Sequence, residues 1–232
     1  QLVCNACIAH DFHADFELRG RQFRFHIGNP YDSVQRTLLK SRFFEAAELE
    51  CLEKWVGPGA HIIEVGAYVG NHAVYYMKFM QPASLIVIEP NPAIVPLLKR
   101  NLAANDAENL APRVFDIAAG NREATYRANS RDPNNLGATE FVADPAGTVR
   151  AVPLDRVVNG PVDFIKIDAE GMELEVLEGA ARIVRESRPK IMIEVFNAHA
   201  GAFARWLAAN RYHVNREFKY INATTVLVEP AP

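Results

Sequence analysis

The sequence predicts a doubly wound α/β fold, a mostly parallel sheet covered by helices on both faces. Three observations carry this reading. From Ala60 onward, strand-like runs alternate with segments of helical periodicity, and the runs are almost continuously apolar, as strands buried on both faces are. The last two runs, "YHVNREF" and "TTVLVEP", stand too close together for a helical crossover. They are therefore expected to close the sheet as an antiparallel hairpin.

The elements follow in order. "FELRGRQFRFHI" (16 to 27) alternates apolar and polar residues around Arg19-Gly20-Arg21 and predicts a β-hairpin. Residues 33 to 56 are rich in helix formers and stop at Gly57-Pro58-Gly59, which predicts one helix. Hairpin and helix form an N-terminal cap, residues 1 to 56, in front of a main domain, 57 to 232. Strands are expected at "HIIEVG", "SLIVIEP", "RVFDIAA", "VDFIKID" and "KIMIEVF". Helical spacing appears in Ala73/Met77/Met80, Ile94/Leu98/Leu102, Met172/Val176/Ala180/Ile183 and Phe203/Trp206/Leu207. Residues 121 to 152 read as a hairpin insertion walling the substrate site. Its Arg122, Arg127 and Arg131 are balanced by Glu123, Asp132, Glu140 and Asp144.

Composition limits the function. With 232 residues, 49% of them hydrophobic and 23% charged, the chain can bury one sizeable core without disulfides or metal. A net charge of -3 supplies no basic field for phosphate contacts, so no polymeric nucleic acid is expected as a partner. No apolar run reaches the length of a membrane span, and "QLVCNACIAH" lacks a basic head before a long apolar stretch. The chain reads as cytoplasmic. Gln at position 1 is expected to mark a processed or excised piece, which leaves an upstream segment open. Cys4, Cys7 and Cys51 make no disulfide framework. Cys4-x-x-Cys7-x-x-His10-x-x-His13 has soft zinc ligands at steps of three, but structural zinc sites use two pairs flanking a folded loop. The spacing reads instead as one face of a short terminal helix.

In sheets of this class ligands gather at the carboxyl ends of the strands. Those ends carry Glu64, Glu89, Asp116, Asp168 with Glu170, and Glu194, more acids than an apolar core requires. The first strand runs into Gly66-Ala67-Tyr68-Val69-Gly70, an E-x-G-x-x-x-G pattern. Gly66 and Gly70 would let a ligand approach the backbone, and the helix start near Asn71 would offer N–H groups to an anion. Glu64 is placed to hold an ammonium. Glu89, followed by Pro90 and Asn91, is placed to accept from two ribose hydroxyls, and Asp116, before Ile117 and Ala118, from an adenine amino group. A ligand with carboxylate, ammonium, ribose and adenine is S-adenosyl-L-methionine. The plainer readings are a glycine turn, a Glu89-Pro90-Asn91-Pro92 turn and a solvated Asp116. NAD would suit Glu89 equally, but Tyr68 stands where a pyrophosphate would approach, and no Y-x-x-x-K pair exists for hydride chemistry.

"IIEVGAYVGNHAVYY", "LIVIEPNP", "VPLDRVV" and "VDFIKIDAEGMELEVLEGA" together resemble the FkbM family of S-adenosylmethionine-dependent methyltransferases, over about Tyr31 to Glu229. The resemblance implies a Rossmann-like seven-stranded sheet with one reversed strand. It also implies methylation of hydroxyl oxygens on sugars, glycans or polyketide-type natural products. Two residues depart from the family pattern, which usually has Asp at Glu64 and a small or polar residue at Tyr68. "NPY" (29 to 31) resembles part of the N/D-P-P-Y motif of adenine amino-methylating enzymes, but that motif follows the fourth strand, where this chain reads I-D-A-E-G.

O-Methylation needs alignment of the hydroxyl with the methyl group and somewhere for the proton to go. Asp168 and Glu170 are the first candidates for the base, with His72 and His199 behind them. Glu170 could instead favour the dipole of its helix, His72 could be packed, and His199 could be exposed in "NAHAG". Asp168, Glu194 and Asn197 are hard oxygen ligands suited to magnesium, an alternative way to lower the alcohol pKa. The acceptor is expected to be a small-molecule or glycan hydroxyl. A Rossmann-type NAD-dependent oxidoreductase and a non-catalytic cofactor-binding module are the competing classes.

Overall fold

The computed structural model describes residues 12–105, 110–130, 132 and 135–232. Cys4, Cys7, His10 and Arg131 lie outside them. The chain begins with the hairpin β1 (His13–Leu18) and β2 (Arg21–His26), turned at Arg19 and Gly20, both at positive φ. The helix expected over 33 to 56 is two helices, α1 (Ser33–Leu39) and α2 (Ala46–Val56). Between them Ser41 and Glu45 are left-handed (φ 60° and 54°), and Phe43 points into the hairpin, edge-on to Phe16, Phe23 and Phe25 at 5.0 to 5.8 Å. Burying that ring among three others outweighs the helix propensity of the segment.

The main sheet comprises β3 (His61–Val65), β4 (Ser84–Ile88), β5 (Arg113–Phe115), β10 (Phe164–Ile167), β11 (Lys190–Phe196), β12 (Tyr212–Lys219) and β13 (Ala223–Pro230). Its order is β12-β13-β11-β10-β3-β4-β5, and β13 runs antiparallel to both of its neighbours, as the terminal hairpin requires. The sheet is therefore mixed, with the remaining pairs parallel. Alternate residues feed two cores. Ile62, Val87, Phe164 and Leu227 face the hairpin and α3 (Asn71–Tyr75), which continues as a π-helical turn, Tyr76–Met80. Ile63, Ile88, Ile165 and Ile193 face α6 (Glu173–Gly179), α7 (Ala181–Ser187) and α8 (Ala200–Asn210).

The strand expected at "RVFDIAA" divides. β5 ends at Phe115, and β6 (Ala118–Ala119) leaves for a second sheet with β7 (Ala124–Asn129), β8 (Glu140–Ala143) and β9 (Val149–Val152), in the order β6-β9-β7-β8. The insertion is thus part of a small sheet rather than a lone hairpin. Contact with α6 fixes β6 there: a Cβ on Gly179 would lie 1.9 Å from the Gly120 carbonyl oxygen, so only glycine lets helix and strand meet. A short helix, α5 (Leu154–Val157), leads from β9 towards β10. No helix among the described residues is long and apolar enough to cross a membrane.

The hairpin is fastened to the main domain by two asparagines of α4 (Val95–Ala104) and its C-terminal cap. Asn101 Oδ1 accepts the His26 N–H at 2.7 Å, and Asn105 Oδ1 accepts the Arg24 N–H at 3.0 Å. Their amides donate back to the carbonyls of the same strand, and Asn101 also donates to Val69 O in the glycine loop at 2.8 Å. The edge of β2 is paired with side chains in place of a further strand. Asn101 is fully buried, so Asn101→Ala should leave backbone groups unpartnered and cost about 2–4 kcal/mol. The expected fall in melting temperature is roughly 5–15 °C for a chain of this size. A shift within about 1 °C would show that water replaces the amide without loss.

Candidate active site

β3 ends in Gly66, whose φ of +78° opens the glycine loop. A Cβ there would sit 1.8 Å from the Asp168 carbonyl oxygen, so glycine alone lets the ends of β3 and β10 close together. The loop crosses to Gly70, the N-cap of α3, through Tyr68 at φ 49°. Glu89, just past β4, holds this turn: Oε2 accepts the Tyr68 N–H and Oε1 the Asn91 N–H, each at 2.8 Å. Each oxygen keeps a lone pair for a ligand.

Two cavities meet here. A narrow slot is lined by Val65, Gly66, Glu89, Pro90, Asn91, Ala118, Leu136, Thr139, Phe141 and Met172. An open cleft of about 480 Å³ is lined by Phe44, Glu45, Ala67, Asn71, His72, Lys166, Glu194, Phe196 and Tyr220. Gly66, Tyr68, Glu89, Gly137, Asp168 and Glu170 border both. Tyr68 walls the junction, and its hydroxyl accepts from Gln35 Nε2 of α1 at 2.8 Å, which ties the cap to the loop.

Several expected residues are elsewhere. Asp116 faces another surface, paired with Lys99 at 2.9 Å, because the chain turns there from one sheet to the other; Ile117 packs in the core. Neither lines the slot. Glu64 is fully buried beneath the loop and lines neither cavity, and its two oxygens have no hydrogen-bond partner. Asn71 does border the cleft, but its side chain turns to the cap, exchanging bonds with Phe44 N and O at 2.9 and 3.0 Å. His199 sits beyond the cleft, 3.8 Å from Glu173. Asn197 donates to Ile221 O and lies outside the cleft, so the expected Asp168/Glu194/Asn197 ligand set does not assemble. Glu170 takes its place: carboxylate oxygens of Asp168, Glu170 and Glu194 lie within 4.8 Å of one another. A positive charge already serves that group, since Lys166 Nζ donates to Asp168 Oδ2 at 2.9 Å.

Lys166 and Glu45 are site residues that sequence reasoning did not pick out. A lysine inside the apolar run "DFIKID" was the available signal for the first. Glu45 had none, since its place depends on the break between α1 and α2.

The sequence profile of the Methyltransferase FkbM domain matches residues 64–220, from the buried glutamate to the tyrosine at the mouth of the cleft. The chain belongs to the FkbM methyltransferase family. Methyltransferase sdnD of Sordaria araneosa is 28% identical over 153 residues, covering 51% of this chain and 59% of that relative. This chain thus spans less than two thirds of the relative's length. The crystal structure of Methyltransferase FkbM from Methylobacillus flagellatus KT covers 84% of this chain and 52% of its own, with 17% identity and a TM-score of 0.51. The ribosomal protein L11 methylase from Lactobacillus delbrueckii subsp. bulgaricus covers 81% and 79%, at 13% identity and a TM-score of 0.54. M. jannaschii TYW2, solved in complex with AdoMet, covers 94% and 85%, at 13% identity and a TM-score of 0.50. At these identities the structures show the shared fold, an α/β methyltransferase with a mixed sheet of seven strands.

The electrostatics of this FkbM site are set by burial. Burial pushes Glu64 up to about 8, with Lys166 opposing and Asp168 and Glu89 adding to the rise. Burial raises Glu89 to about 7 against its two backbone hydrogen bonds. Glu170 reaches about 8 and Glu194 about 7, through burial first and the Asp168 charge second. Burial would lower Lys166, yet Asp168, Glu64 and Glu45 together drive it up. The folded protein therefore holds protons on these four glutamates that the unfolded chain, at its ordinary value of 4.5, has released. This contribution is complete below about pH 4.5 and is lost as the pH rises through 7 to 8. The unliganded protein should accordingly melt at a higher temperature at pH 5.5 than at pH 8.5, and Glu64→Gln should flatten that slope. Calorimetric scans at the two pH values check this; a melting temperature that rises with pH contradicts it.

Proposed function

We propose that this FkbM methyltransferase moves a methyl group from S-adenosyl-L-methionine to a hydroxyl oxygen of a small molecule or glycan. The observation that carries the reading is the junction of slot and cleft at Asp168, below a glycine loop held by Glu89. Bound in the slot, the cofactor supplies a methyl group on a sulfonium, already activated for transfer. Glu89 accepts from the ribose hydroxyls with its remaining lone pairs, Gly66 admits the ligand to the backbone, and Ala118, Leu136 and Phe141 enclose an adenine face. Glu64, unpartnered beneath the loop, leaves two acceptor oxygens on the side of the methionine ammonium.

The acceptor hydroxyl enters the cleft. Glu45 and Asp168 outnumber the single lysine, which disfavours a phosphodiester chain, and with Glu170 and Glu194 they offer oxygen acceptors to the hydroxyls of a neutral polyol. Phe44, Phe196 and Tyr220 offer apolar and aromatic surface to the face of a sugar ring. A dehydrogenase reading is disfavoured by Tyr68, whose side chain walls the place of a pyrophosphate. A purely binding role gives no use to the carboxylates of the cleft.

Two measurements test this function. S-Adenosylhomocysteine at a hundredfold excess over its Kd should stabilise the protein by about 2.7 kcal/mol, a rise of roughly 5–10 °C in melting temperature; NAD should give none. Equal shifts with both ligands would sink the cofactor assignment. Glu89→Ala should weaken S-adenosylhomocysteine by about 1–3 kcal/mol in titration calorimetry, because the ribose loses a charge-assisted acceptor.

A further inference from the structure

The cap places one carboxylate at the cleft without using it to cap the helix that follows. Glu45 closes the break before α2 in a left-handed conformation, φ 54°, which costs energy for a residue other than glycine. Its Oε2 lies 3.1 Å from His72 Nε2, and the side chain borders the cleft with 19% of its surface exposed. It also shares a small crevice with Lys166, Asp168, Glu194 and Thr225. Those residues lie on or at the ends of β10, β11 and β13, on the far side of the glycine loop from Glu89. Glu45 therefore stands in the acceptor half of the site.

The hydrogen bond at His72 Nδ1 has one direction. Asn71 Nδ2 lies 3.3 Å from Nδ1 and donates also to Phe44 O, so the amide acts as donor and Nδ1 accepts. Nε2 then carries the proton and lies 3.1 Å from Glu45 Oε2, within ion-pair range but not aligned as a hydrogen bond. Burial and the Lys166 charge push the imidazole down, while His72 and Lys166 together outweigh burial and hold the Glu45 carboxyl below its ordinary value. His72 is buried, with Nδ1 engaged by Asn71, whereas the Glu45 carboxylate keeps part of its surface open at the cleft. Among the other carboxylates Asp168 is bound to Lys166, and Glu170 and Glu194 crowd against it.

We propose that Glu45, supplied by the cap, is the catalytic base that takes the proton of the acceptor hydroxyl, and that His72 is its positioning residue. The proposal rests on the hydroxyl-methylation reading above. In the step, the acceptor oxygen forms a bond to the methyl carbon as the carbon–sulfur bond breaks. The electron pair of that bond stays on sulfur, which becomes the neutral thioether of S-adenosylhomocysteine. The hydroxyl proton passes to the Glu45 carboxylate and later to water.

The test uses the full chain with methyl-labelled S-adenosylmethionine and the methyl glycosides of glucose, galactose, mannose and rhamnose. With a glycoside that wild type methylates, Glu45→Gln should lower kcat by about 10²-fold or more, while S-adenosylhomocysteine affinity by calorimetry stays within about twofold. Formate should restore at least about tenfold of the turnover lost in Glu45→Ala, because a free carboxylate fills the vacated place; a structural role would not respond. His72→Ala should lower kcat less than Glu45→Gln and leave KM for the cofactor unchanged. If Glu45→Gln fails to fold, Glu45→Asp replaces it, with a smaller loss and the same intact affinity. Turnover of Glu45→Gln within about threefold of wild type overturns the proposal. So does cofactor affinity that falls in step with turnover, or activity that chelator abolishes and magnesium restores. Wild type that binds S-adenosylhomocysteine yet labels none of the glycosides overturns the hydroxyl reading first, and this proposal with it.

Discussion

A buried ammonium organises this site. Lys166 stands on β10, the central strand, beside Glu64 of β3 in register, and only 4% of it is exposed. An ion in such a place persists only with opposite charge around it. Asp168 supplies the direct bond, and Glu64 and Glu45 add to the field. The same field works in return on the carboxylates, since without the lysine they would repel one another at the ends of three adjacent strands. Fixing Asp168 through Lys166 also fixes the carbonyl over which Gly66 passes, so charge balance and backbone approach are settled at one point.

The cap is built into the active site rather than laid over it. Gln35 bonds the Tyr68 hydroxyl, Asn71 exchanges bonds with Phe44, and Asn101 joins the hairpin to Val69. Each bond ends on the glycine loop or the first turn of the helix that follows it. The aromatic cluster around Phe43 then sets the path of the chain between α1 and α2, and that path carries Glu45 to the cleft. Packing in the cap thus decides which side chains border the cleft.

The α/β alternation and the antiparallel closing hairpin were readable because both follow from local rules: continuous apolar runs, helical spacing between them, and a connection too short for a crossover. The place of Glu89 and Gly66 at the strand ends was readable for a similar reason, since a strand end and the turn behind it are near neighbours in the chain. Asp116 was misplaced by the same logic. The rule puts it at a strand end, but the close packing of Gly179 on Gly120 draws the next residues into another sheet and turns Asp116 to Lys99. Asn197 failed likewise, because its neighbours in space, not in sequence, decide that it bonds the turn at Ile221.

By itself the sequence determined the alternation of elements, the family and the strand ends where a ligand would gather, all properties of short windows whose hydrophobic period and turn residues act locally. Tertiary structure alone decided which acids meet. Glu45 and His72 are far apart in the chain, and no periodicity links them; their contact exists because three phenyl rings hold Phe43 and break a helix that local propensity would have continued. Long-range packing energy overrode local preference there, and a window of sequence cannot contain both sides of that balance.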